Sequence, residues 1–253
     1  MAPTGNNLKK GIIMKLKEIK EFVLDLIFPK ECLGCGKENT YLCRQCYEKI
    51  ALNKNFYCAL CKRESDLAKI CLFCQKESAL SAIWVAADYN NDILQALIHN
   101  LKYKYLEDLS QVLADLIIKY LEEQKIFQHF EINNENTIIT PVPLHNKRLL
   151  LRGFNQSDLL AEKISSFYKI KKLNLLNRKI NTHSQIELKR KERQQNVKAA
   201  FIFNANESLD KNKKIILMDD VVTTGSTLNE CAKVLSENGF EEIYGLVIAQ
   251  RED

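Results

Sequence analysis

The chain has 253 residues, of which 46% are hydrophobic and 27% charged, with only 8 glycines and 4 prolines. This composition excludes disordered, collagen-like and low-complexity proteins, and the length allows one full domain with a small second one. The net charge of +5 is uneven, because residues 141–200 carry 14 basic but only 4 acidic side chains. Such a surplus suits a phosphorylated small molecule or a nucleic acid backbone; a solvated basic face without a partner is the equal alternative.

The apolar stretches of the sequence are short. Runs such as residues 215–218 and 246–249 fall far below the roughly 20 residues needed to cross a bilayer. Residues 1–7 carry neither the basic start nor the apolar core of a secretory signal. We therefore expect a cytoplasmic protein without a membrane span.

Residues 16–28 predict an amphipathic helix. Their apolar side chains recur with the 3.6-residue period of a helix, and Pro29 would end it. We interpret residues 1–29 as an N-terminal segment whose helix docks on the rest of the protein. A helix that lies on a membrane surface is the alternative.

Eight of the nine cysteines form four Cys-x-x-Cys pairs. The pairs are Cys32/Cys35, Cys43/Cys46, Cys58/Cys61 and Cys71/Cys74. Two thiolates with this spacing hold one side of a tetrahedral Zn²⁺, so the four pairs predict two structural Cys₄ zinc sites. Disulfides, a redox pair and an iron–sulfur site are the alternatives. A reducing compartment disfavours disulfides, and a redox pair needs a single Cys-x-x-Cys motif on a βαβ unit. The short gaps from Cys35 to Cys43 and from Cys61 to Cys71 favour one zinc site made by the first two pairs and another made by the last two. Crossed pairing stays open.

Residues 30–79, which contain these pairs, are expected to form a double zinc ribbon. Large apolar residues are too few here for an independent core, so metal would supply the folding energy, on the order of 10 kcal/mol for one structural Zn²⁺. Aromatic residues lie between the cysteines, at Tyr41, Tyr47, Phe56, Tyr57 and Phe73. We interpret these rings as the small core of the ribbon, and stacking platforms for nucleic acid bases are the alternative.

Residues 80–253 alternate between predicted strands and helices. Strands are predicted at residues 81–89, 137–140, 214–218 and 242–249, and helices at residues 91–101, 106–121, 155–168 and 227–238. This alternation predicts an α/β domain in which a parallel sheet carries helices on its faces. Ligands of such domains bind at the carboxyl ends of the strands.

One predicted strand end carries a specific motif. Asp219 and Asp220 follow the apolar residues 215–218, and the small, hydroxyl-rich residues 223–227 lead into a helix. Backbone N–H groups of such a loop can converge on an anion at the positive end of the helix, and the two carboxylates can accept hydrogen bonds from sugar hydroxyls. An acidic turn before an ordinary capped helix is the alternative. The sequence contains neither a Walker loop nor a dinucleotide-binding glycine motif.

Residues 215–227 resemble the phosphoribosyl pyrophosphate (PRPP) motif of type I phosphoribosyltransferases. The resemblance implies a phosphoribosyltransferase-like α/β domain over residues 80–253, preceded by the small zinc-binding domain. It also implies that Asp219 and Asp220 are catalytic residues that bind the ribose hydroxyls. The residues that it implies around the 5′-phosphate are Val222, Thr223, Thr224, Gly225, Ser226 and Thr227.

Further motifs resemble the ComF (competence protein F) family from about residue 28 to residue 250. They are the paired zinc knuckles together with Pro141, Pro143, Leu144, Arg148, Arg152, Asn155, Gln156, Thr182, Gln185, Arg193 and Asn196. In this fold the loop after the second core strand meets pyrophosphate, which implies ligand binding by Pro143, Arg148 and Arg152. A mobile loop covers the ligand; residues 181–196 with Arg193 are our candidate. His145 and His183 are expected to be bystanders.

The ComF resemblance implies a protein that binds Mg²⁺ with PRPP, or a nucleoside 5′-phosphate, and acts in DNA uptake during natural transformation. Phosphoribosyl transfer to an unidentified acceptor would then be its reaction, and Mg²⁺ would bridge the pyrophosphate and the ribose hydroxyls. The alternative is a catalytically silent accessory protein that senses PRPP or handles single-stranded DNA, with other DNA-uptake or recombination proteins as partners. Both hypotheses stay open at the level of the sequence.

Overall fold

The computed structural model describes residues 30–103, 108–179, 200–204 and 209–251. The chain divides into two compact units, Met1–Lys49 and Ile50–Asp253. The helix expected at residues 16–28 and the covering loop expected at residues 181–196 lie outside the described residues. The domain boundaries expected after residues 29 and 79 stay predictions.

The described part of the first unit is built around its cysteines. The backbone N–H groups of Cys35 and Gly36 both donate to the carbonyl of Cys32, at 3.3 and 2.8 Å. Gly36 has a φ of +73°, a left-handed conformation that favours glycine. A single helical turn, α1 (Arg44–Tyr47), begins directly after Cys43.

The second unit contains seven strands, six α-helices and two short 3₁₀ helices (Asp66–Ala68 and Cys74–Lys76) among the described residues. The strands are β1 (Ala82–Asp88), β2 (Thr137–Pro141), β3 (Lys171–Lys172), β4 (Leu176–Arg178), β5 (Phe201–Phe203), β6 (Lys214–Val222) and β7 (Ile243–Gln250). The helices are α2 (Asp92–Tyr103), α3 (Leu109–Glu123), α4 (Ile126–His129), α5 (Asn146–Arg152), α6 (Gln156–Tyr168) and α7 (Ser226–Glu237). None of the described helices has the length and apolar character needed to cross a membrane.

Five of the strands form one parallel sheet in the order β1-β7-β6-β2-β3, which confirms the predicted fold class. β4 and β5 form a separate antiparallel pair. All eight residues of β7 are buried, as expected for an apolar strand near the centre of a parallel sheet that is covered on both faces.

Different elements cover the two faces of the sheet. On one face, Ile83, Ile215 and Val247 join an apolar cluster that includes α7, the β4–β5 pair and residues 58–80. On the other face, the indole of Trp84 stacks on Tyr244 with 4.9 Å between ring centroids and contacts Phe127 and Phe130. Helices α3 and α6 pack on each other and against the sheet.

The structure also departs from the predicted elements. β6 continues four residues beyond the predicted end at 218, because Asp219, Val221 and Val222 pair with Val247, Ala249 and Gln250 of β7. The two acids therefore lie within a strand, where the sheet fixes their backbone. The sequence did not predict the short helices α1, α4 and α5 or the short strands β3, β4 and β5.

Candidate functional site

The carboxyl ends of β2, β6 and β7 border a cavity of about 620 Å³. Its walls include two acidic residues, Asp219 and Asp220, which point from the last part of β6. The expected phosphate-binding residues also line it: Val222, Thr223, Thr224, Gly225, Ser226 and Thr227. So do Pro143, Arg148 and Arg152, which follow β2. The structure thus brings together every expected residue of this site that it describes; Arg193 and His183 lie outside the described residues.

The two acids at the cavity have different surroundings. Asp220 forms an ion pair with Lys102 of α2, with 2.7 Å between Nζ and Oδ2. Asp219 instead accepts hydrogen bonds at 2.9 Å from the hydroxyl of Ser157 and from the N–H of Asp220. Burial, and then the charge of Asp220, raise the pKa of Asp219 to about 7. Asp219 is therefore held by neutral hydrogen-bond donors in a buried setting, whereas Asp220 is held by a cation.

Helix α6 positions Ser157 for its bond to Asp219. Asn155 caps this helix, because its side-chain oxygen accepts from the N–H of Ser157 at 3.1 Å. The Asn155 amide also donates to the carbonyl of Val142 at 3.0 Å, directly after β2. One side chain thus ties the start of α6 to the end of β2, which brings Ser157 to the acids.

Residues 223–227, the β6–α7 loop, form the turn from β6 into α7. Gly225 is the N-cap of α7 with a φ of +76°. Thr224 and Ser226 share a hydrogen bond between their hydroxyls at 2.7 Å, and the N–H of Ser226 donates to Thr224 Oγ1 at 3.3 Å. The loop therefore presents hydroxyls at the positive end of a 12-residue helix, an arrangement that attracts an anion.

Several residues of the cavity wall were not predicted to lie there: Tyr89, His99, Lys102, Ser157, Arg178 and Arg251. Gln156, named above only for the ComF resemblance, lines the cavity too. Arg251 could have been found, because it directly follows β7 and parallel strands end at the same edge of a sheet. Lys102 and Arg178 reach the cavity from α2 and β4, and no local motif marks them. His145, an expected bystander, caps α5 by accepting from the N–H of Lys147 at 3.2 Å.

The cysteine pairs come together in two groups. The first tetracysteine site is Cys32, Cys35, Cys43 and Cys46, and the second is Cys58, Cys61, Cys71 and Cys74. Within each group all sulfur atoms lie within 4.8 Å of one another. Tetrahedral Zn²⁺ with bonds of about 2.3 Å separates its sulfur ligands by about 3.8 Å, and the distances of 3.7 Å for Cys35–Cys43 and 3.5 Å for Cys61–Cys71 fit it. Both groups can hold zinc, and each joins sequential pairs.

Comparison with known proteins connects these features. Residues 173–252 match the family model of the phosphoribosyl transferase domain. Competence protein F of Haemophilus influenzae is 33% identical over 213 residues, covering 82% of this chain and 90% of the relative. The DNA utilization protein YhgH of Escherichia coli is 29% identical over 215 residues (78% and 92%), and the competence protein ComFC of Bacillus subtilis is 26% identical over 215 residues (80% and 81%). The cavity, the two tetracysteine sites and these relatives together show that the chain belongs to the competence protein F (ComF) family.

Proposed function

We propose that the cavity binds PRPP together with Mg²⁺, or a nucleoside 5′-phosphate. The 5′-phosphate would lie against the β6–α7 loop, and the ribose hydroxyls would donate hydrogen bonds to Asp219 and Asp220. The observation that carries this proposal is that both acids and the hydroxyl-rich loop line one cavity at the strand ends. The positive end of α7 suits a phosphate group, and carboxylates suit sugar hydroxyls.

The charges around the cavity support a ligand with several phosphate groups. Five cationic side chains line it: Lys102, Arg148, Arg152, Arg178 and Arg251. Burial, and then repulsion from Arg148, lower the pKa of Arg178. A pyrophosphate group between these cations would relieve that repulsion and accept paired hydrogen bonds from arginine.

The same cavity suits a Mg²⁺ ion that arrives with the ligand. Mg²⁺ is commonly held by one or two carboxylates together with substrate phosphates, and Asp219 and Asp220 supply two carboxyl groups. When bound, the ion would neutralise charge on the pyrophosphate. The chain's own contribution is to orient the acids, through Ser157 for Asp219 and Lys102 for Asp220.

Phosphoribosyl transfer is the reaction that this arrangement suits. The bond from C1′ of the ribose to pyrophosphate would break, a bond from C1′ to a nucleophilic acceptor would form, and pyrophosphate would leave. Positive charge develops on the sugar ring in such a transition state, and nearby carboxylates stabilise it. The arginines would hold the leaving pyrophosphate.

We also propose that both tetracysteine sites hold structural Zn²⁺. All eight ligands are thiolates, which leaves no coordination position for a reacting water. Metal analysis of the purified chain should find about two zinc ions per chain. Fewer than one ion per chain would contradict the double site.

A role in DNA uptake follows from the relatives. Two of them are named as competence proteins and a third as a DNA utilization protein. We place this role in the cytoplasm, because a reducing compartment keeps cysteine thiols available for metal. Other DNA-uptake or recombination proteins would then be its partners.

The alternative is a catalytically silent protein that senses PRPP or a nucleotide, or that handles single-stranded DNA. The second tetracysteine site offers an observation in its favour. The ring of Phe73 is exposed, with the Arg63 guanidinium 4.9 Å from its centroid, and Lys62 lies 5.0 Å from the ring centroid of Tyr57. Such pairs of cations and aromatic rings suit the phosphates and bases of a single strand.

Calorimetric titration with Mg²⁺–PRPP tests the ligand site. We expect the native chain to bind, and Asp219→Asn combined with Asp220→Asn to lose most of that affinity. Asp66→Asn combined with Asp115→Asn is the matched control, because these two exposed acids lie outside the cavity and the charge change is the same. Equal binding by the native chain and the cavity variant would remove the assignment.

Two further measurements separate the enzyme from the accessory protein. Pyrophosphate release from PRPP with any member of a panel of bases and amines would establish transfer. Binding of PRPP without turnover on the panel would favour the sensing role. Affinity for single-stranded DNA that falls steeply with salt would favour DNA handling, because neutralised phosphates release counterions.

A further inference from the structure

The second tetracysteine site belongs to the same compact unit as the sheet and the cavity. Its ligand Cys58 is fully buried in the apolar cluster that includes Ile83, Val247 and Leu228. Its other three ligands pack against the same cluster. A metal held there would therefore be joined to the core that carries the β6–α7 loop.

Leu60, which lies between two of the cysteine ligands, packs directly on the β6–α7 loop. A Cβ atom added to Gly225 would overlap the Cδ2 methyl of Leu60. The turn that presents Leu60 is held by the N–H groups of Cys61 and Lys62, which donate to the carbonyl of Cys58 at 3.2 and 2.8 Å. The position of this methyl group is thus set by the cysteine turn.

Gln250 makes a second connection between the cysteine turn and the loop. Its buried amide nitrogen donates to the carbonyl of Ala59 at 2.7 Å and to the carbonyl of Thr223 at 3.2 Å. Ala59 lies between Cys58 and Cys61, and Thr223 is the first residue of the loop. One side chain at the end of β7 therefore joins the two backbones.

Asn229 makes a third connection, to the segment that follows the last ligand of the metal site. It lies in the first turns of α7, and its amide nitrogen donates to the carbonyl of Glu77 at 3.0 Å. Its side-chain oxygen accepts from the N–H of Ala79 at 3.1 Å. These two backbone groups shortly follow Cys74, the last ligand of the site. The segments after the first and the last ligand thus hold the loop and its helix from two sides.

We propose that metal occupancy of the second tetracysteine site sets the shape of the β6–α7 loop and thereby the affinity of the cavity for a sugar phosphate. Leu60, Gln250 and Asn229 are the positioning residues. Without metal the cysteine turn loses its main constraint, because a structural zinc supplies folding energy directly. The Ala59 carbonyl and the Leu60 methyl then leave the loop. The ligand part of this inference rests on the proposed function, whereas the coupling is a property of the chain alone.

Substitutions that keep the cysteines provide the test. In Leu60→Ala and in Gln250→Leu, zinc content should equal that of the native chain. Amide hydrogen exchange of residues 221–227, measured without ligand, should be faster on the order of tenfold, and the Kd for ribose 5-phosphate should rise by a similar factor. Leu60→Met should behave as the native chain, because it conserves volume.

Leu113→Ala is the matched control for general destabilisation. Leu113 is fully buried in α3, so this change should lower the melting temperature without altering exchange of residues 221–227 or the affinity for ribose 5-phosphate. Native exchange and native affinity in both Leu60→Ala and Gln250→Leu would overturn the coupling. If the native chain fails to bind ribose 5-phosphate, the proposed function fails, and the exchange measurement still decides the coupling.

Discussion

The two tetracysteine sites have the same ligands but different surroundings. In the first site three ligands are buried and Cys35 is exposed, and none of the described atoms lies within 4 Å of a Cβ added at the neighbouring Gly36. In the second site Cys58 is fully buried and the other three ligands are half-buried, and the turn that follows Cys58 packs on Gly225. A local role suits the first site, which lies in a small unit of its own, whereas the second is part of the α/β core.

The same set of four cysteines therefore lies in two different structural settings in one chain. The cysteine spacing does not distinguish the two sites, because each site joins two consecutive Cys-x-x-Cys pairs. What distinguishes them is the side chain between the ligands: Leu60 meets the loop of the cavity. Matched cysteine substitutions at the two sites therefore test whether the sites contribute differently to the stability of the sheet.

The largest effect is expected from removal of ligands. Cys58→Ser combined with Cys61→Ser should lower the free energy of unfolding of the sheet by several kcal/mol, on the scale of about 10 kcal/mol supplied by one structural zinc. Cys32→Ser combined with Cys35→Ser should also remove one zinc ion but leave unfolding of the sheet nearly unchanged. Fluorescence of Trp84, the single tryptophan, reports on this unfolding because it is buried in β1.

Metal analysis of both variants is the control for this comparison, since each must lose one zinc ion to be matched. Chelator titration of the native chain should likewise lower the free energy of unfolding of the sheet only when the ion of the second tetracysteine site is removed. Equal loss of stability in the two double variants would contradict the distinction between a local site and a core site.

A smaller effect is expected from Gly225→Ala. The new Cβ meets both a positive φ of +76° and the Leu60 methyl, so we expect a loss of about 2 to 3 kcal/mol in denaturant unfolding. Gly153→Ala is the matched control: its φ is +77°, but none of the described atoms lies within 4 Å of the added Cβ. It should lose only about 1 kcal/mol.

A double variant sharpens this prediction. In a Leu60→Ala background the extra cost of Gly225→Ala should fall to that of Gly153→Ala, because the overlapping methyl is gone. Additive costs of Leu60→Ala and Gly225→Ala would show that the cysteine turn and the loop do not interact in solution.

The sequence predicted the parts of this molecule that depend on local patterns. Long apolar strands such as β7 are buried on both faces, so their composition alone marks them. The β6–α7 loop was predicted because its acids, hydroxyls and glycine are contiguous. In contrast, β3 consists of Lys171 and Lys172, two polar residues that become a strand only by pairing with β2.

The rest of the site depends on contacts between distant segments. Lys102 reaches Asp220 because α2 borders the same cavity as the end of β6, and a lysine on a helix face is otherwise an ordinary exposed residue. Leu60 was interpreted only as part of a zinc ribbon, yet it packs on Gly225 of the cavity. Phe73 was expected in the core of the ribbon and is 66% exposed; the apolar cluster of this region contains Ile70 and Cys58 but not this ring.

The electrostatics of the cavity should affect stability independently of the second tetracysteine site. Because burial raises the pKa of Asp219 from 3.8 to about 7, the folded chain binds a proton there more tightly than the unfolded chain. This group therefore lowers stability progressively as pH rises between about 4 and 7, and the loss is complete above pH 7 or so. The substitution Asp219→Asn should remove this pH-dependent loss of stability.

We expect the advantage in stability of Asp219→Asn over the native chain to be about 1 kcal/mol larger near pH 8 than near pH 6. Denaturant unfolding at both pH values, with zinc present throughout, measures the difference. Glu123→Gln on the exposed end of α3 is a control for a charge change outside the cavity. A pH-independent difference between Asp219→Asn and the native chain would show that the carboxyl titrates normally.

The smallest effect on stability is expected from Phe73→Ala, at the surface of the second site. The ring is largely exposed, so its loss should cost less than about 1 kcal/mol, chiefly the contact with Arg63. If the accessory role is right, however, affinity for single-stranded DNA should fall by about 1 to 3 kcal/mol, the scale of one stacked base. Leu72→Ala is the control, since this neighbour is 83% exposed and has no ring. Equal DNA affinity in Phe73→Ala, Leu72→Ala and the native chain would show that the ring of Phe73 does not bind single-stranded DNA. The role left for the second tetracysteine site would then be to support the cavity.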